Sequence, residues 1–254
     1  MSDIKAKEQG NFLMEDETLD DLQLKGICVI QKKNAFRFGI DAVLLANFAK
    51  VKKGAGVIDL CTGTGIIPFI LAGKTEAGNI IGIEIQEEMA NMAERTNKYN
   101  KLENRVRFIC DDLCNINMLK NLPKADVVTV NPPYKLCNSG IINPHDKIAI
   151  ARHEICCTLE DVIIAARTLL KDNGRMYMVH RPERIADILY LMRKYKIEPK
   201  TIRMIHPSSG KAPNIMLIEG QRDGGEFLKW ESPLYVHKED GGYTEEIERI
   251  YGRI

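Results

Sequence analysis

Short apolar runs alternate along this chain with longer segments of helical periodicity, and that alternation predicts the architecture. Leu24–Ile30 reads as a first short strand, with Gln31-Lys32-Lys33-Asn34 as the turn after it. Asp41 stands before the apolar stretch Ala42–Ala49 as a helix N-cap. Val57-Ile58-Asp59-Leu60 is a buried strand, Ile66–Ala72 a helix, Ile80–Ile85 a second strand and Glu87–Asn100 a helix. Val106–Ile109 and Val127–Val130 are further strands. The helix Leu159–Leu170 is ended by Gly174, and Met176–Val179 is the next strand. Pro182–Tyr195 is helical again. Ile202–His206 and Asn214–Gly220 pair as an antiparallel hairpin around Pro207-Ser208-Ser209-Gly210. Strand–helix alternation of this kind predicts an α/β doubly wound sheet with ligands at the carboxyl ends of its strands. The expected division is an acidic N-terminal segment at 1–23, one domain over 24–222, and an extension at 223–254 packed on that domain.

Composition changes this picture little. With 254 residues, 44% hydrophobic and 28% charged, the chain suits a single large α/β domain, and a formal charge of +1 suggests no particular partner. The distribution says more. Residues 1–24 carry seven acids against two lysines, whereas residues 171–222 carry eleven bases against five acids. The basic run suits a phosphate-facing surface and equally suits solvated helix faces. Seven cysteines without a C-x-x-C pair point to small residues in a reducing compartment rather than to a metal or disulfides. The first residues are charged, and no apolar stretch reaches the ~20 residues of a membrane span, so a cytoplasmic protein is expected.

Candidate chemistry gathers at two strand ends. Asn131-Pro132-Pro133-Tyr134 follows the apolar run 125–130. Proline fixes φ and removes a donor, so this stiff loop offers carbonyl oxygens and one side-chain amide, with a flat ring to stack on. It suits the exocyclic amino group of a planar substrate; a strand-terminating turn is the plain alternative. Upstream, Asp59-Leu60-Cys61-Thr62-Gly63-Thr64-Gly65 joins a strand to a helix. Gly63 and Gly65 let the backbone turn and a ligand approach without meeting a Cβ. Glu84 closes the next strand, placed to accept from ribose hydroxyls, and Asp111-Asp112 the one after, placed to accept from an adenine amino group. This ordered series favours S-adenosylmethionine over a dinucleotide, whose third loop glycine is missing where Pro68 stands.

These residues resemble the class I S-adenosylmethionine-dependent methyltransferases that act on amino or amide nitrogen. Phe36–Ala46, Ala151-Arg152-His153-Glu154 and Pro233-Leu234-Tyr235-Val236 narrow the resemblance to the bacterial tRNA(Val) adenine-N6 methyltransferases. The resemblance spans roughly residues 17–252, and Cys61 departs from it where the family commonly has glycine. It implies a class I (Rossmann-like) fold, S-adenosylmethionine as cofactor, and an unpaired adenine beside the anticodon of tRNA as substrate, with no metal and a monomer favoured. Cofactor contacts are expected from Arg37, Asp41, Asp59, Thr62, Gly63, Gly65, Glu84, Ile85, Asp111, Asp112, Leu113 and Asn131. Asn131, Pro132 and Tyr134 are expected to hold the reacting amine, and Pro133, Tyr134, Lys135, Arg152, His153, Arg181 and Lys211 to bind the substrate. No aromatic platform is read among the basic residues of 171–222, so base recognition is expected to fall to Tyr134 and its loop. A release-factor glutamine methyltransferase shares Asn-Pro-Pro-Tyr but usually carries a long helical domain before the glycine loop, where only 58 residues stand here. Other RNA or DNA amino-group methyltransferases, and a non-catalytic RNA-binding module on the same fold, are the remaining alternatives.

Overall fold

Apolar runs too short for helices become adjacent strands, whose backbone groups pair with their neighbours and whose two faces are both covered by helices. The computed structural model describes residues 12–33, 39–133 and 157–254. In chain order the strands are β1 Glu17–Asp21, β2 Cys28–Lys32, β3 Gly56–Leu60, β4 Asn79–Glu84, β5 Val106–Cys110, β6 Ala125–Val130 and β7 Leu170–His180. β8 Ile197–Ser208, β9 Ile215–Arg222, β10 Lys229–Trp230 and β11 Leu234–His237 complete them. The helices are α1 Ile40–Phe48, α2 Ile66–Lys74, α3 Glu87–Tyr99, α4 Ile116–Asn121, α5 Leu159–Leu169, α6 Ile185–Lys194 and α7 Glu245–Ile250.

The main sheet runs β5-β4-β3-β6-β7-β9-β8, with β10 and β11 both paired to the outer edge of β8. Every pairing is parallel except those of β9, which is antiparallel to both β7 and β8. The doubly wound α/β sheet and its antiparallel hairpin are therefore present. Alternate residues feed two cores. Val57, Val127 and Tyr177 face α1 and α2, while Ile58, Val128 and Met176 face α5 and α6. The carboxyl ends of β3, β4, β5, β6 and β7 share one rim of the sheet. Two reversals of direction bring the β8–β9 turn and the end of β11 to that same rim.

Several local expectations shift. The strand expected at Leu24–Ile30 begins only at Cys28, because Gln23, Lys25 and Gly26 all have positive φ. Backbone bonds between Leu22 and Ile27 close them into the β1–β2 turn. Gln31 and Lys32, expected in a turn, lie within β2. The acidic β1 is held down by Arg95 of α3, whose guanidinium meets both oxygens of the buried Glu17 carboxylate at 2.6 Å. Asp41 is not an N-cap: Ile40 is already helical, Gly39 takes the cap position, and Asp41 sits in the first turn. α5 ends at Leu169 rather than at Gly174, and β7 starts with a bulge, its pairing with β6 jumping from Ala125–Leu170 to Val127–Arg175. The short α4, capped by the Asn115 side chain on the Met118 N–H, had no periodic signal of its own.

Candidate active site

The glycine loop between β3 and α2 is held by its own backbone. The Thr62 N–H donates to the Ile83 carbonyl of β4, and the Gly65 N–H to the Thr62 carbonyl. Gly65 caps α2 at φ 84°, and a Cβ there would stand 2.7 Å from Phe108 and 2.8 Å from Phe69. Gly63, at φ 56°, has no atom within 4 Å of where its Cβ would be, so the space over the loop is open. Cys61 is left-handed as well, at φ 55°, a conformation that costs a non-glycine residue about 1–2 kcal/mol. Its thiol hydrogen-bonds Cys157 just ahead of α5; that bond and burial together push its pKa well above the usual thiol value.

Asp59 is 0% exposed. Its two oxygens accept from the Thr62 and Thr129 hydroxyls, each at 2.6 Å. Burial, aided by the charge of Glu84, lifts its pKa to about 7 against the opposing effect of both hydroxyls. In this enclosure Asp59 ties the loop to the sheet. Glu84, 5% exposed, accepts from the Gly63 N–H at 2.8 Å through one oxygen and from the Gln86 N–H at 3.0 Å through the other. Each oxygen keeps a second acceptor position. Next along the rim, Asp111 and Asp112 are half-buried; Asp111 Oδ1 accepts from the Asp112 N–H and Asp112 Oδ1 from the Cys114 N–H. Ile85 is half-buried and Leu113 buried beside them.

The acceptor loop begins one strand away. β3 and β6 pair in register, Asp59 with Thr129 and Leu60 with Val130, which places Asn131 next to Cys61 at the mouth of the glycine loop. Asn131 is half-buried, Pro132 buried and Pro133 exposed. Tyr134, Lys135, Arg152, His153 and Arg37 lie outside the described residues. Arg181 follows β7 and donates to the Asn214 carbonyl at 2.8 Å, while Lys211 is exposed in the β8–β9 turn. Both stand on the same rim as Asn131.

Two contributors had no signal in the motifs. Gln31, 2% exposed, donates its side-chain amide to Thr64 Oγ1 at 2.7 Å, bracing the glycine loop from β2. Thr129 reaches across from β6 to Asp59, which makes one buried carboxyl the tie between the cofactor loop and the acceptor strand. The strand reading of 127–130 could have found Thr129, as the single polar residue of a buried run; nothing local marks Gln31. Among the described residues, no cluster of His, Cys, Asp or Glu is arranged to hold a metal, and no helix is long and apolar enough to cross a membrane.

A family profile described as a methyltransferase domain matches residues 51–214. A protein of Bacteroides thetaiotaomicron, named tRNA1(Val) (adenine(37)-N6)-methyltransferase, is 30% identical over 230 residues, 90% of this chain and 94% of the relative. The chain belongs to this methyltransferase family. A relative of the same name from Porphyromonas gingivalis is 25% identical over 242 residues, 91% of this chain and 93% of its own. Among solved structures, one described as a predicted O-methyltransferase of Agrobacterium tumefaciens superposes with a TM-score of 0.68 at 22% identity. It covers 84% of this chain and 95% of its own, a likeness of fold. The protein is thus an S-adenosylmethionine-dependent N-methyltransferase on a class I sheet.

Proposed function

We propose that this methyltransferase acts on the exocyclic N6 of an unpaired adenine in tRNA, in the anticodon loop of tRNA(Val). The observation that carries the reading is the junction at Asp59. It joins an open glycine turn to the strand that leads into Asn131, so two ligands would meet over one pair of strands. The names of the relatives support tRNA and N6 as the target.

The residues at the β3, β4 and β5 ends fit S-adenosylmethionine: open space stands over Gly63, the remaining acceptor positions of Glu84 suit ribose hydroxyls, and Asp111 and Asp112 with Ile85 and Leu113 offer acceptors and apolar surface suited to adenine. Thr62 and Gly65 shape the turn, and Arg37 and Asp41 cover the methionine end. Bound there, the cofactor supplies an electrophilic methyl group. The protein's own task is placement and dehydration, with the reacting nitrogen held about 3–3.5 Å from the methyl carbon. Asn131 Oδ1 and the Pro132 carbonyl each accept one N6–H, which draws the nitrogen lone pair out of the ring and aims it. Tyr134 stacks on the base beside Pro133, while Lys135, Arg152, His153, Arg181 and Lys211 meet the RNA backbone. An adenine already unpaired in a loop enters such a pocket at small cost. The methylated nitrogen, left with a positive charge, loses its single excess proton to water without a general base.

Methyl transfer from labelled cofactor to total tRNA, rRNA, DNA and release factor tests the proposal. Label recovered as N6-methyladenosine in tRNA is the expected result. Label in a release-factor glutamine, or in DNA alone, overturns it.

A further inference from the structure

Tyr177, the aromatic residue nearest Arg181 in sequence, is buried, yet the fold delivers an exposed one to this region from another part of the chain. β11 runs parallel to β8 with Tyr235 opposite His206 and His237 opposite Ser208. Leu234 and Val236 turn into the core, so Tyr235 stands on the other face and is 38% exposed. Its ring lies 5.2 Å from that of His206, tilted by 40°. The His206 ring is fixed in turn, with Nδ1 2.7 Å from the Lys211 carbonyl, a contact that makes Nδ1 the donor. Beyond them His237 stacks on Tyr243 at 5.2 Å and Tyr243 on Tyr251 at 5.8 Å.

Strand direction puts these rings on the catalytic rim. β7 follows β6, β9 and β8 each reverse, and β11 follows β8. Four strand spacings separate β6 from β11, about 19 Å, the reach of a few nucleotides of single strand. Lys211 and Lys238 flank the rings; both are exposed, and among the described residues neither forms an ion pair. The nearby Asp240 turns its carboxylate to the Gly242 N–H of its own turn.

We propose that Tyr235 and His206, with Lys211 and Lys238 beside them, form a stacking site for an unpaired nucleotide close to the one presented to Asn131. The inference rests on the RNA reading above and extends it. A partly exposed aromatic face accepts any base, and flexible lysines suit phosphates without demanding a sequence. The site therefore sets how firmly the loop is held, while the identity of the reacting base is read at Asn131. An exposed ring alone would also fit a protein partner; the two lysines and the shared rim favour single-stranded RNA.

Steady-state kinetics and binding with full-length protein and tRNA test the site. Tyr235→Leu is expected to raise KM and Kd for tRNA roughly 5- to 100-fold. Maximal rate and cofactor affinity should stay at wild-type values, and Tyr235→Phe should restore tRNA affinity. Lys211→Ser should lower the slope of log affinity against log salt by about 0.7. Wild-type protein irradiated with tRNA carrying 5-bromouridine in its anticodon loop should crosslink at Tyr235 or His206, a readout that needs no variant to fold. A Tyr235→Leu protein that melts like wild type yet keeps KM and Kd within twofold overturns the site, as do crosslinks confined to other faces. If wild-type protein methylates no RNA at all, the proposed substrate itself fails; if it methylates tRNA and Tyr235→Leu changes nothing, only the stacking site fails.

Discussion

At the ends of β3, β4 and β5 the polar side chains point at the protein itself, whereas at the ends of β8 and β11 rings and lysines point outward. Asp59 is satisfied by two threonines, Glu84 by two backbone N–H groups, and Asp111 and Asp112 by their own turn. Tyr235 and Lys211 are instead partly or wholly exposed. A small ligand bound in every catalytic cycle rewards a cavity whose backbone is already in place, because nothing then needs ordering on binding. A large, charged and mobile ligand rewards adjustable side chains spread over a wide edge. The two halves meet at Asn131, rigid through its prolines and joined to the cofactor side through Thr129 and Asp59.

The largest test of that division is Asn131→Ala. It should lower the rate of methyl transfer by roughly 10²–10³-fold, in line with loss of one oriented hydrogen-bonding group from an active site. Cofactor affinity measured by calorimetry should fall far less than the rate; undiminished turnover would remove the proposed amine clamp. Gly65→Ala attacks the other half. It combines a left-handed φ with a Cβ pressed against Phe108 and Phe69, so urea unfolding should show a loss of about 2–4 kcal/mol, together with weakened cofactor binding. An alanine variant as stable as the parent would mean that the turn is softer than its contacts indicate.

A third test uses pH. Asp59 stays protonated in the folded chain up to about pH 7, while its ordinary value is 3.8. Between those values the unfolded chain has released a proton that the folded chain keeps. Stability from this group is thus full below about pH 4, falls as pH rises to about 7, and levels off above. Asp59→Asn removes the titration, so the stability of wild type relative to this variant should fall by about 1–3 kcal/mol between pH 5 and pH 8. A difference that does not move with pH would show that Asp59 is ionised throughout. The smallest effect belongs to the brace from β2. Gln31→Leu should cost about 1 kcal/mol in stability and leave tRNA binding unchanged, since it removes one hydrogen bond to Thr64. A change in tRNA affinity would show the two halves to be coupled more widely than through Asp59.

The cofactor half was legible because its signals are local. Gly63, Gly65 and Glu84 fall at turns that neighbouring residues already mark, and parallel strands read as plain apolar runs. What escaped was whatever depends on pairing across distance. Nothing near Asp59 announces that Thr129, 70 residues away, will reach across to enclose it and tie the two strands together. Nothing near Leu24 reveals that positive φ at three of the four positions 23–26 will make it a turn. Tyr235 meets His206 only because β11 runs parallel to β8 with Leu234 and Val236 buried, a pairing that the Pro233–Val236 match does not spell out.

β8 is the outermost long strand of the sheet, and β10 and β11 lie end to end along its free side. A twelve-residue strand with unpaired amides would template the addition of strands from other molecules. Two short strands, of two and four residues, cover it and leave no long outer edge in its place. The segment that carries the proposed stacking site thereby also shields the edge at which separate copies would otherwise pair. Deleting residues 229–254 should give a protein that aggregates at concentrations where the full chain stays dispersed, as light scattering would record.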